Sequence, residues 1–360
     1  METRAFKVGG HRFHVVLEEP WTTLRYTEPV LQRIRRCAEG ASVPSGDDFE
    51  AEPLLPTRAG DAVPARTLIK SRSEWPADRT PYSLDLSQYE PFATEPGDDP
   101  LFTLTIRAEI PPALAEVREQ NGWELLMKVD DTAPYYSIYR FGDLTVFDFS
   151  LRENGIDGTL CMDMRTATGS FYSHRIRQAA FHLGTALMMM FTCFSAQRQT
   201  LLMHASVIRH EGKANLFLGR SGTGKSTHSR LWLEHIPGCD LVNDDNPVLR
   251  FLPDPADGRM RLMVFGSPWS GKTPCYRNLS VPVRAVVRLD QAPENAIRRL
   301  TGLEAYASVL ASCSAIRWSR PVMDAISASV EKIALETPCW HLDCRADQEA
   351  AQACARAVEA

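Results

Sequence analysis

Residues 219–227 read Gly219-Arg220-Ser221-Gly222-Thr223-Gly224-Lys225-Ser226-Thr227, and this run limits the fold more than any other in the chain. It fits the spacing G-x-x-x-x-G-K-[ST]. The glycines open backbone angles that a side chain forbids, so that their N–H groups can converge on phosphate oxygens. A helix beginning near Lys225 adds its positive end. Lys225 brings a full charge, and the Ser226 hydroxyl can reach a magnesium ion. The loop needs a strand before it and a helix after it, and the sequence offers both. Residues 214–218 read as a strand, and 225–235 have helical character closed by Pro237-Gly238. Residues 241–245 resume as strand. This α/β pattern predicts a site for ATP and Mg²⁺ built on Gly219, Ser221, Gly222, Thr223, Gly224, Lys225, Ser226 and Thr227. The plainer alternative is a glycine-rich turn that only caps a helix.

Three further features bear on that site. Gly266-Ser267-Pro268-Trp269-Ser270-Gly271-Lys272-Thr273 repeats the same spacing. Its interior proline has no N–H to donate and a fixed φ, and no amphipathic helix follows. It is not expected to be a second phosphate loop, although Lys272 is a candidate phosphate contact from a lid or substrate loop. Its alternative is a solvated surface lysine. Asp244 and Asp245 end the strand after the loop helix, where one carboxylate can hold Mg²⁺ and its neighbour can take a proton from a hydroxyl. Neighbouring strand residues point to opposite faces, so both serve one site only at the very end of the strand. An Asx turn in Asp-Asp-Asn-Pro is the alternative. His204 lies 15 residues before the loop. A lone histidine is more often structural.

The rest of the chain sets the frame. Its 360 residues allow two domains. A formal net charge of −5 gives no sign of the strongly basic character of a nucleic-acid binder, and none is expected as a partner. Nine scattered cysteines form no C-x-x-C pair and point to thiols in a reducing compartment. Cys339, His341 and Cys344 lack a second ligand pair for zinc. Met1–Lys7 holds no apolar signal core, and the chain is expected in the cytoplasm. The most apolar stretch, 179–194, is too short and mixed to span a bilayer and reads as part of a buried helix over 174–197. Strands are expected at 11–18, 101–106, 122–128, 135–141 and 144–151, and a helix at 28–38. Residues 41–100 hold 9 prolines and 12 acidic residues against 5 basic ones. They read as a flexible insertion. Residues 202–208 and 214–218 form a hairpin through Glu211-Gly212-Lys213. Helices follow Gly302, with a late strand at 339–343 and a last helix from about 346. The expected organisation is a β-rich N-terminal domain (1–40 and 101–198), the insertion (41–100), and a nucleotide-binding α/β domain (199–360), α+β overall.

Met203-His204-Ala205, the loop at 219–227 and Val242-Asn243-Asp244-Asp245 together resemble the catalytic domain of HPr kinase/phosphorylase, whose wider relatives include ATP-dependent phosphoenolpyruvate carboxykinases. HPr-kinase-like serine kinases found beside peptide-modification genes are similar in their Gly-x-Pro-Trp-x-Gly-Lys segment. The likeness covers residues 200–345, about 40% of the chain. It implies an ATP/Mg²⁺-dependent kinase acting on a hydroxyl of a protein, a peptide or a small metabolite. In that scheme Lys225 and the loop hold the triphosphate, and Ser226 and Asp245 hold Mg²⁺. Asp244 is the base, and His204 supports it. The resemblance also suggests a homo-oligomer. The family's Leu-Asn-Ile-Arg-Asp-Leu-Phe-Gly signature is absent, and residues 264–272 stand in its place. The N-terminal half does not resemble the usual regulatory domain, so the acceptor stays open. A nucleotide-binding switch without phosphotransfer is the alternative from another class. Carboxykinase chemistry is a third reading, for which no oxaloacetate-binding arginine pattern or metal-binding lysine and histidine set is found.

Overall fold

The computed structural model describes residues 1–24, 82–109, 123–129, 135–152, 155–175, 178–254, 257–271 and 273–359. The helix expected at 28–38, residues 41–81 of the expected insertion, and Lys272 lie outside them. Sheets and helices are mixed, as an α/β reading requires. The described chain divides into two compact units, residues 1–24 with 82–195, and residues 196–359. The break falls three residues before the expected boundary at 198/199.

The first unit is built on one mixed sheet. In chain order its strands are β1 (Glu2–Val8), β2 (His11–Leu17), β3 (Thr22–Thr23), β4 (Ser83–Leu84), β5 (Ala93–Thr94), β6 (Thr103–Arg107), β7 (Glu124–Val129), β8 (Tyr135–Phe141), β9 (Leu144–Ser150), β10 (Gly158–Asp163) and β11 (Thr168–Ser173). The order across the main sheet is β5-β1-β2-β6-β11-β10-β9-β8-β7, with β3 and β4 paired separately. In β2 every second residue is buried, the signature of a strand with one covered face. Helix α1 (Ala179–Ser195) supplies cover. Its Phe191 meets Phe13 edge-on at 6.4 Å, and Phe13 stacks on Phe102 at 4.9 Å. This is the stretch read as a buried helix. With the 3-10 turn that follows it, Ala179–Arg198 is long and apolar enough to cross a membrane by length and composition, more than the sequence reading allowed, yet 67% of its most apolar window is buried in the protein.

Residues 82–100 correct the insertion reading. A 3-10 helix at Ser87–Phe92 buries Tyr89 and Phe92, and Leu84 and Leu86 are also buried. The Tyr89 ring lies 5.3 Å from that of Phe6. Proline and acidic content suggested a solvated loop, but four large apolar side chains in the same stretch are buried and outweigh it.

The second unit holds β12 (Thr200–Leu202), β13 (Ala205–His210), β14 (Lys213–Leu218), α2 (Lys225–His235), β15 (Asp240–Asp245), β16 (Val248–Pro253), β17 (Met260–Phe265), β18 (Ser280–Gln291), β19 (Ala296–Leu300), α3 (Gly302–Leu310), α4 (Arg320–Glu336), β20 (Cys339–Cys344) and α5 (Gln348–Glu359). The expected 202–208 strand is split, because Met203 and His204 leave the ladder between β12 and β13. The hairpin through Glu211 and Gly212 is present, with both residues at positive φ. The long β18 serves two sheets. Its first residues pair antiparallel with β17, which leads to β16 and β12. Its remainder lies parallel between β14 and β20. Beyond β14 come β13 and β15, each antiparallel to its neighbour. The ends of β14, β15, β18 and β20 and the start of β13 therefore share one edge, where ligands of such sheets bind. Phe217, Val287 and Leu289 pack on one face with Trp232 of α2 and Ala351 and Cys354 of α5.

Candidate active site

The glycine-rich loop joins β14 to α2 as the sequence predicts. Gly222 and Gly224 have φ of 84° and 98°, which glycine adopts without strain. A Cβ on Gly219 would collide with the Thr223 hydroxyl and come within 3.1 Å of the Leu289 carbonyl. No side chain caps α2, whose N-cap is Gly224. Its first N–H groups are the orphan donors that bind anions. The Gln291 amide donates to the Gly222 carbonyl at 3.3 Å and ties the loop to the end of β18.

Lys225 is 8% exposed, and its ammonium donates to the carbonyls of Gly219 (2.9 Å) and Arg220 (3.2 Å). Burial lowers its pKa, against the upward pull of Asp245 and Asp244. The Ser226 hydroxyl donates to Asp244 Oδ1 at 3.0 Å. Asp244 is 4% exposed. It lies opposite Ser206 in the β13–β15 ladder, and Ser206 shares a 2.6 Å hydroxyl contact with Ser229 of α2. His204 Nε2 lies 3.4 Å from Asp245 Oδ1, and the His204 N–H donates to the Ser312 carbonyl at 2.7 Å. Burial and then the Lys225 charge push the His204 pKa down, with Asp245 and Asp244 opposing. A depressed pKa keeps the imidazole neutral near pH 7 and able to accept a hydrogen bond or proton.

These contacts bring His204, Lys225, Ser226, Asp244 and Asp245 together at one sheet edge, but not in the expected pairs. The resemblance put Ser226 with Asp245, and His204 with Asp244. In the structure Ser226 meets Asp244, and His204 meets Asp245. A β-bulge between Val207 and Ile208 shifts the β13–β15 register by one residue. Such a shift exchanges the faces of every residue beyond it.

The second glycine-lysine segment is not a helix-capping loop. Gly271 donates its N–H to the Asp244 carbonyl, and Ser270 bridges to Asp245. After Thr273 the chain runs to β18 without a helix. The sequence reading missed Asn243, Ser267, Gly271 and Gln291 as parts of the site. A signal for the 266–271 segment was present, since its paired glycines mark close backbone approach. No zinc set forms among the described residues from Cys339, His341 and Cys344. The two thiols lie at opposite ends of β20, and His341 faces Asp290 at 3.0 Å. His210, Glu211 and Glu359 converge instead, but Arg284 already reaches Glu211 (3.0 Å) and Glu359 (3.1 Å). No family model matches the chain, and no curated protein is significantly similar to it.

Proposed function

We propose that the chain is an ATP- and Mg²⁺-dependent phosphotransferase of the HPr-kinase-like P-loop type, acting on a hydroxyl of a protein, a peptide or a small metabolite. The observation that carries the reading is the meeting, at one edge, of an uncapped helix behind a glycine loop with the pairs Ser226–Asp244 and His204–Asp245. The loop N–H groups and Lys225 take the triphosphate. The cradle fits, because Gly222 and Gly224 hold the positive φ that lets the loop N–H groups converge and the α2 donors face no side-chain cap.

Ser226 and Asp244 offer hard oxygen donors suited to Mg²⁺. When bound, the ion would neutralise charge on the phosphate oxygens. Asp245 then takes the role of base in place of Asp244. The acceptor oxygen bonds to the γ-phosphorus as the bond from that phosphorus to the bridging oxygen breaks. ADP leaves, and the hydroxyl proton passes to the Asp245 carboxylate beside neutral His204. Most of the rate comes from positioning and charge neutralisation. The described cysteines are all free thiols, which suits a reducing cytoplasm.

The test uses γ-labelled ATP with Mg²⁺ and extract of the native host, with label followed into protein, peptide and small-molecule fractions. Wild type is expected to label one fraction. Asp245→Asn is expected to bind ATP but transfer phosphate roughly 10²- to 10⁴-fold more slowly, and Asp244→Asn to lose its response to Mg²⁺. ATP binding with no label in any fraction would instead favour the nucleotide switch. Oxaloacetate-dependent ATP use would favour the carboxykinase reading.

A further inference from the structure

Resting on the phosphotransferase reading, we infer that Ser267 is a positioning residue for the two carboxylates, and that Gly266–Gly271 clamps the end of β15. Ser267 is fully buried. Its hydroxyl donates to the Asn246 carbonyl at 2.6 Å and accepts from the Asn243 amide and the Trp269 N–H, both at 3.2 Å. One donor and two acceptor sites are the full capacity of a hydroxyl. Asn243 and Asn246 flank Asp244 and Asp245, so one side chain fixes both ends of the four-residue segment that carries the carboxylates. Asn243 depends on it. Its Oδ1 has no partner among the described residues, and its Nδ2 reaches only Ser267, through the hydroxyl and the carbonyl at 3.4 Å.

The clamp closes at two further points. Asn246 donates its N–H to the Trp269 carbonyl at 3.0 Å, and Gly271 donates to the Asp244 carbonyl. A Cβ on Gly271 would stand 2.5 Å from the Asp244 oxygen and 3.2 Å from the Asp245 Cβ. Asp244 thus has backbone on both sides, Ser206 of β13 on one and Gly271 on the other. Ser267 touches neither carboxylate. It acts by setting where the strand end lies relative to Ser226 and His204. The two glycines of this second run are explained by close backbone packing, Gly271 on Asp244 and Gly266 on Arg277.

The experiment compares full-length wild type with Ser267→Ala, Ser267→Thr and Gly271→Ala. For each, turnover of labelled ATP with Mg²⁺ is measured against pH, together with the KM for ATP and the melting temperature. A misplacement of about 1 Å costs roughly 10²-fold in rate. Ser267→Ala is therefore expected to lose kcat on that scale with KM nearly unchanged, and to shift the acid limb of the pH–rate profile. Ser267→Thr, which keeps the hydroxyl, should recover much of the loss. Should Ser267→Ala fail to fold, Gly271→Ala reads the same clamp. A folded Ser267→Ala with wild-type kcat and pH profile, changed only in melting temperature, would overturn the inference and leave the kinase reading intact. Wild type that neither binds nor turns over ATP would overturn both.

Discussion

Two buried carboxylates, one in each unit, make opposite use of burial. Asp157 is 1% exposed and fully compensated. It accepts from the Leu151 N–H (2.9 Å) and the Ser150 hydroxyl (3.1 Å), and pairs with Arg175 (2.7 Å) and Arg152 (3.2 Å). Burial alone would raise its pKa, but the bonds from Leu151, Ser150 and Arg152 and the charge of Arg175 hold it below the usual range. Asp244 is nearly as buried, yet the side-chain donor it meets is a serine hydroxyl, with a lysine ammonium turned instead to loop carbonyls. A carboxylate met by two arginines is finished as a structural element. One met by a hydroxyl keeps capacity for a cation, and the same edge carries the donors for an anion.

The sharpest break of this contrast is in activity. Asp245→Asn should lower phosphoryl transfer by roughly 10²- to 10⁴-fold, the span of general-base catalysis, with little change in melting. Asp157→Asn should leave turnover per folded molecule as it was. A loss of turnover on that scale in Asp157→Asn would erase the distinction. Next in size is stability. Asp157→Asn removes the charge that the Leu151 N–H and the Ser150 hydroxyl bond, while its two arginines stay partly exposed to water, so it should destabilise the first unit by about 1–3 kcal/mol in denaturant melts, where Asp245→Asn does not.

Acid should treat the two units alike. Burial depresses His182 in the first unit and His228 in the second to pKa values of about 4. In the unfolded chain each titrates near 6.5. The unfolded state therefore binds more protons between those values. The stability present above about pH 6.5 is lost as pH falls toward 4, by roughly 3 kcal/mol per histidine. Calorimetry from about pH 7.5 to 4 should show both units softening, and His228→Gln should flatten the second unit's response alone. The smallest effect is at glycine. Gly142 has a φ of 57°, and a methyl placed on it would have no atom within 4 Å. Gly142→Ala should cost about 1 kcal/mol and leave activity untouched. Gly219→Ala, where the Thr223 hydroxyl occupies the space, should lower ATP affinity in a fluorescent-nucleotide titration.

The strand–loop–helix from Lys213 to His235 was legible in the sequence because glycine chemistry and apolar runs are local. The alternation in His11–Leu17 was legible for the same reason. The four strands between 248 and 300 were not. In β18 the change of partner at Pro282–Val283 and the cover on both faces break any simple alternation. Residues 82–100 were misleading because composition averages over the Leu84, Leu86, Tyr89 and Phe92 side chains that do the burying. That His204, Lys225, Ser226, Asp244 and Asp245 come to one sheet edge could be foreseen, but which carboxylate Ser226 meets, and the packing of Asn243 and Ser267 behind them, could not. The register shift between Val207 and Ile208 in the same ladder was equally hidden, since no residue type in β13 or β15 announces it.

The double duty of β18 has a consequence for how the chain is made. Strand β14 carries the glycine loop on its end and runs apolar from Leu216 to Leu218, with Ala214 and Asn215 also buried. Its parallel neighbour is supplied by residues 283–288. During synthesis the loop and its strand leave the ribosome well before that neighbour exists. For that interval β14 is an open, apolar sheet edge, the kind of surface that pairs with other chains. Completion of β18 seals it and at the same moment joins the two sheets, so the glycine loop gains its framework late in translation.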